Sequence, residues 1–142
     1  MSNVEGLDAL NATLKKLSKQ VGEYSMSALI AGGKLVESDA KKSIQEKSPG
    51  HNVIRYRNGG GSYEHLAANE GNAPNTDTGR LVSSINTEPA KDAVFVGSSL
   101  GYAKHLEFSH QWLMPALDKN IENIINLQVG AVNKTIARNA HV

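Results

Sequence analysis

The sequence predicts an α+β fold, and three observations carry that reading. Apolar residues recur every three or four positions near both ends of the chain, as amphipathic helices require. Between the ends, residues 85–88 and 93–97 read as two short strands. The turn that joins them, Pro89-Ala90-Lys91-Asp92, makes the pair a hairpin.

Leu7, Leu10, Leu14, Leu17 and Val21 form the first stripe, with Lys15, Lys16, Lys19 and Gln20 on the other side. The stripe suits packing onto the chain's own next helix. Its a/d-like spacing also suits a seam between helices, although two heptads do not make a coiled coil. Gly22 is expected to bend or break this helix, since glycine costs about 1 kcal/mol relative to alanine. A second helix is expected over 23–47, with Leu29, Val36, Ala40 and Ile44 as one stripe and Ile30 and Gly33 alongside. Gly32-Gly33 either weakens it locally or admits a close neighbour. Ser48-Pro49-Gly50 stops it, because the residue before proline disfavours helix.

From Gly50 to Asp77 the periodicity dissolves. Residues 53–57 read as one short strand, followed by a flexible joint at Asn58-Gly59-Gly60-Gly61-Ser62. Residues 67–77 are rich in turn formers. A connection this long is characteristic of a contact surface or of a segment that orders on a partner. The expectation is therefore a long central loop, about 50–77, inside a single domain spanning 1–142.

Asp77 or Thr78 is placed to cap a short helix running through Ser84. After the hairpin, Tyr102, Ala103, Leu106 and Glu107 mark another short helix. Leu113, Leu117, Ile121, Ile124, Ile125, Val129, Val132 and Ile136 then mark a long amphipathic helix over 114–138, with Pro115 in its first turn. Ala140-His141-Val142 reads as a frayed end.

Composition excludes several functions. Fifteen basic and fourteen acidic residues leave a net charge of +1, without the basic excess that general DNA affinity draws on. The chain has no cysteine, so disulfides and thiolate metal sites are ruled out. No apolar run approaches the ~18 residues needed to span a bilayer. The first residues lack the basic and apolar regions of a signal peptide, and a soluble protein made in the cytoplasm is expected. Only seven residues are aromatic, and so thin a core points to further burial against partner subunits.

Reactive-looking groups read better as structure than as chemistry. Gly59, Gly60 and Gly61 lack the lysine and hydroxyl residue that complete a phosphate loop. His105 and His110 are five apart and diverge around a helix, where zinc needs i and i+4; His51 and His65 have no ligand spacing. Ser83 and Ser84 lie outside any Gly-x-Ser-x-Gly elbow. Glu107 has no paired acid and reads as a capping or salt-bridge partner. Neither a catalytic residue, nor a metal ligand, nor a cofactor site is expected. Arg55-Tyr56-Arg57 is the best contact candidate: in a strand the arginines share one side and Tyr56 takes the other. With Arg80, they are also what a small nucleic-acid-binding module would use.

The middle of the chain resembles the neck, or tail-completion, proteins of long-tailed bacteriophages. The resemblance rests on Thr78-Gly79-Arg80-Leu81-Val82-Ser83-Ser84-Ile85, then Val96-Gly97, then Tyr102-Ala103-Lys104-His105-Leu106-Glu107-Phe108, then Leu113-Met114-Pro115-Ala116-Leu117, in that order. Relatives carry a glycine after Glu-Phe and a longer loop; here Ser109 follows, and only His110-Gln111-Trp112 precedes Leu113. The resemblance implies a small antiparallel sheet packed against long N- and C-terminal helices. It also implies a non-enzymatic virion protein assembled as a homo-oligomer, a hexameric ring, at the head–tail interface. Its neighbours there would be the head-closure or connector protein and the tail-terminator or tail-tube protein, with DNA passing through unread and no membrane involved. Arg55, Tyr56, Arg57, Gly59, Gly60, Gly61, Arg80 and Glu107 would face the lumen or an interface. A tail-terminator ring is the adjacent reading.

Overall fold

The computed structural model describes residues 2–139; the frayed end expected at 140–142 lies outside them. Helix α1 (Ser2–Gln45) runs for 44 residues, roughly 66 Å at 1.5 Å per residue. Strands β1 (Gly50–Tyr56) and β2 (Ser62–Ala68) follow, then α2 (Arg80–Ser84), β3 (Ile85–Pro89), β4 (Val94–Ser98), α3 (Ala103–Ser109) and α4 (Met114–Asn139). Helices at both ends and short antiparallel strands between them make the fold α+β. Among the described residues, no helix is long and apolar enough to cross a membrane.

Three expectations change. Gly22 does not end the first helix, which runs unbroken from Ser2 to Gln45, because leucine, lysine, glutamine and glutamate around it favour helix and the single penalty stays local. The strands form two separate two-stranded sheets, β1–β2 and β3–β4. Much of the segment read as loop is the β1–β2 ribbon, with Arg55 opposite Tyr63 and Gly50 opposite Ala68. β1 is almost wholly exposed and β2 is half-buried with Ala68 inside, and neither strand shows the regular apolar alternation by which a strand announces itself.

The core forms where α1 is gripped from two sides. Val36, Ala40 and Ile44 of α1 meet Leu81, Ile85, Ala103, Trp112 and Ala116. Gly32 and Gly33 make the grip possible. A Cβ on Gly32 would stand 2.9 Å from Ile124 Cγ1 of α4, and one on Gly33 2.8 Å from Thr87 Cγ2 of β3 and 2.9 Å from Val94 Cγ1 of β4. One helical turn therefore receives another helix on one side and the β3–β4 hairpin on the other.

Polar contacts fix the register. Asn120, buried on α4, donates to Asp39 Oδ2 at 2.7 Å and to the Ala116 carbonyl at 2.8 Å. Nearer the other end, Ser25 donates to Gln128 Oε1 at 2.6 Å, and Asn139 donates to Gln20 Oε1 at 2.8 Å. The helices are thus antiparallel, and the described part of α4 reaches Gln20. Among the described residues, α1 continues beyond that point through residues 2–19, for about 27 Å.

Glu37 joins α1 to the sheet. It accepts from Thr87 Oγ1 at 2.6 Å and from Lys41 and Lys34 at 2.7 and 2.9 Å. The Lys41 and Thr87 bonds, against an opposing push from burial, hold its carboxyl at about 2 instead of the ordinary 4.5.

Two tests follow from this geometry. Gly22→Ala meets open space and is expected to stabilise by up to ~1 kcal/mol. Gly33→Val is expected to destabilise by roughly 1–3 kcal/mol through overpacking, read by thermal melting; helix propensity alone would make both changes stabilising. Glu37→Gln is expected to lose roughly 1–2 kcal/mol at neutral pH, after allowance for solvent around Lys34. A lowered folded value means stability present above the unfolded value. The gap between wild type and Glu37→Gln should therefore narrow as pH falls from 4.5 and close below about 2.

Candidate assembly surface

The β1–β2 ribbon turns through its glycines. Gly59, Gly60 and Gly61 have φ of 106, 99 and 88°, a region that side chains disfavour. The Arg57 amide donates to the Gly61 carbonyl and the Gly60 amide to the Arg57 carbonyl, closing the turn. Beside it the alternation is as expected. Arg55 pairs with Tyr63 across the ribbon, and the Arg57 guanidinium, just past β1, lies 5.3 Å from the Tyr63 ring centroid. Ile54 and Tyr56 are on the other face, 63% and 82% exposed.

The base of the ribbon is clasped by the following loop. Tyr63 donates its hydroxyl to Asp77 Oδ1 at 2.8 Å, which raises the phenol's pKa; Arg55 Nε and His65 Nδ1 each stand 3.9 Å from the same carboxylate. Asn75 accepts from the Ser48 amide and donates to the Ser48 and Leu66 carbonyls. Thr76 donates to the Ile44 carbonyl. Asp77 is thereby occupied, and the residue ahead of α2 is Gly79 at φ 79°, which has no side chain to cap the helix; Thr78 Oγ1 stands 3.5 Å from the Arg80 amide.

Arg55 and Arg80 line one open cavity of about 330 Å³ with His65, Asp77, Tyr102 and His110, over apolar side chains such as Leu81 and Leu106. Tyr56, Arg57 and the glycines stand away from it at the ribbon's free end. Glu107 is not among its walls. Its carboxylate accepts three backbone amides instead: Trp112 and Leu113 on Oε2 at 3.0 Å, Met114 on Oε1 at 2.8 Å. One side chain thus satisfies two of the orphan donors at the start of α4, those of Leu113 and Met114, and the preceding Trp112 amide as well. The capping reading of Glu107 is what the structure shows, and the carboxylate faces its own chain. Trp112, 3% exposed, donates its indole N–H to the Ala103 carbonyl, closing the α3–α4 corner. His110 bridges Ser109 and the Ala68 carbonyl, while His105 is exposed. Among the described residues, no three histidine, aspartate or glutamate side chains cluster as a metal site.

A further surface feature lies on the long helices, where the sequence reading allows the leucine stripe of α1 to serve as a helix–helix seam and gives α4 as periodicity alone. Leu7, Leu10 and Leu14 are 58%, 53% and 52% exposed on the free part of α1; Ile121, Ile125, Val129 and Ile136 are 45–56% exposed along α4.

A family model described as "Bacteriophage HK97-gp10, putative tail-component" matches residues 8–108. The chain belongs to this family. The tail-component match spans α1, both hairpins and α3, ending beside the Glu107 cap, while α4 lies beyond it. No curated protein and no solved structure matches the chain significantly.

Glu107→Ala is expected to cost this tail component roughly 1–3 kcal/mol, because three amides lose their partner. Glu107→Gln, which keeps an acceptor, should recover part of the loss. Equal melting temperatures for all three proteins would contradict the capping role.

Proposed function

We propose that the protein is a structural subunit of the phage virion, forming a closed ring at the head–tail junction through which DNA passes. The ring joins the capsid connector to the tail, and its working surface is built for protein contact. The observation that carries this reading is an apolar surface left unfinished by folding. Among the described residues, fourteen large apolar side chains are exposed and nine apolar residues, four of them alanine, are buried.

Area points the same way. The folded chain exposes 9834 Å², whereas a compact monomer of 15.2 kDa exposes about 7,100 Å². The excess, about 2,700 Å², is larger than the two half-interfaces of ~800 Å² each that a ring subunit gives its neighbours. A ring needs two unlike patches that meet around an axis; the free α1 segment, the outer face of α4 and the β1–β2 ribbon supply them. Six-fold symmetry, expected from the resemblance, remains part of the proposal, with the connector on one side and the tail-terminator or tail-tube protein on the other. Near-neutral net charge suits a channel past which DNA must slide.

Phage carrying a stop codon early in this gene is expected to yield filled heads and separate tails, rejoined when the protein is supplied in trans. Tails of irregular length would place the ring at the tail terminus instead. Normal infectious particles lacking the protein would remove it from the junction altogether.

A further inference from the structure

We propose that the free N-terminal segment of α1, residues 6–19, docks antiparallel onto the outer face of α4 in a neighbouring copy. The juxtaposition behind it is that both faces are apolar, unpartnered and matched in length, spacing and charge. The assignment deepens the ring reading and rests on it only in requiring that copies meet.

Spacing comes first. Leu7, Leu10, Leu14, Leu17 and Val21 continue by threes and fours into Ser25 and Gly32, which touch α4 within the chain. The leucines thus extend the α4-binding face of α1 past Gln20, which the described part of α4 reaches through Asn139. That face takes a helix for as long as one is present; a second copy supplies the next. On α4, Ile125, Val129, Val132 and Ile136 repeat by four, three and four, the complement of the leucine spacing. Measured along the axes, residues 6–19 span ~20 Å and 121–136 about 22 Å.

Charge sets the direction. The segment carries Lys15, Lys16 and Lys19 against Asp8, and Asp118 and Glu122 border the α4 stripe. Antiparallel docking places the lysines at the start of α4, beside those two carboxylates, and brings Leu14 to Ile125 and Leu10 to Val129. Parallel docking would carry the lysines about two turns beyond them. The contact pairs unlike surfaces, so it propagates from copy to copy, as a ring requires, and closes when the rotation between copies divides the full turn.

The absence of cysteine allows a direct test. Leu14→Cys and Ile125→Cys alter side chains already more than half exposed, so both variants are expected to melt with the wild type. The two are incorporated singly, together and as a mixture, in purified protein at high concentration and in phage particles, then oxidised. A disulfide-linked dimer from the mixture, and a ladder from the double variant, is the expected result. Cross-linking of Leu14→Cys to itself would show paired arms and overturn the proposal. Failure to cross-link in particles that hold a ring of this protein would place the interface elsewhere, leaving the ring reading intact. Absence of any such ring would defeat the ring reading itself. Leu14→Asp, set against the acidic border of α4, should weaken self-association at least about tenfold.

Discussion

Everything in this molecule depends on how closely its neighbours approach α1 at Gly32 and Gly33. A helix normally holds its partners 8–10 Å away by its own side chains. Two adjacent glycines remove that spacing on two sides at once, and Ile124, Thr87 and Val94 come to within van der Waals distance of the backbone. The register of α4 and the seat of the β3–β4 hairpin follow from that one turn. So does the overhang, because the described part of α4, anchored by Asn120 on Asp39, reaches Gln20 with much of α1 still ahead.

The same choice explains why the interior is small. The packed residues include Ala40, Ala103 and Ala116, and the large buried side chains gather around Trp112 and Ile85. A fold gripped at glycine and lined by alanine positions its helices without covering them. Bulk that other chains place inside is here placed outside, on α1, α4 and the ribbon. For the ring subunit proposed above this is a sensible division: little stability is needed alone, and burial would be completed on assembly.

What the sequence disclosed, and what it did not, has a physical pattern. The α+β class, the β3–β4 hairpin and the start of α4 were legible because their signals are local: alternation on either side of a short turn and a proline in the first helical turn, although Pro89, expected in the connection, instead ends β3 opposite Val94. Glu107 as a cap was legible because an unpaired carboxylate on a small helix has few other uses. Continuity of α1 through Gly22 was not, since a glycine's cost is read in the sequence but the flanking residues and distant packing decide. The β1–β2 ribbon was hidden by its polarity, and its pinning by Asn75 and Asp77 depends on atoms brought together from across the chain. The apolar positions of α4 were all visible; that they serve two faces emerged only once α1 had claimed one of them. Arg55 and Arg80 came to one cavity wall, which spacing along the chain could not show.

Side-chain labelling by hydroxyl radicals, compared between the isolated chain and intact particles, addresses the unfinished apolar surface most directly. If assembly covers that surface, Leu7, Leu10, Leu14, Ile121, Ile125 and Val129 label readily when the protein is alone and are protected in the particle. Equal labelling in both states would mean that these residues stay open to water, and that the exposed helices are not where this protein meets its neighbours.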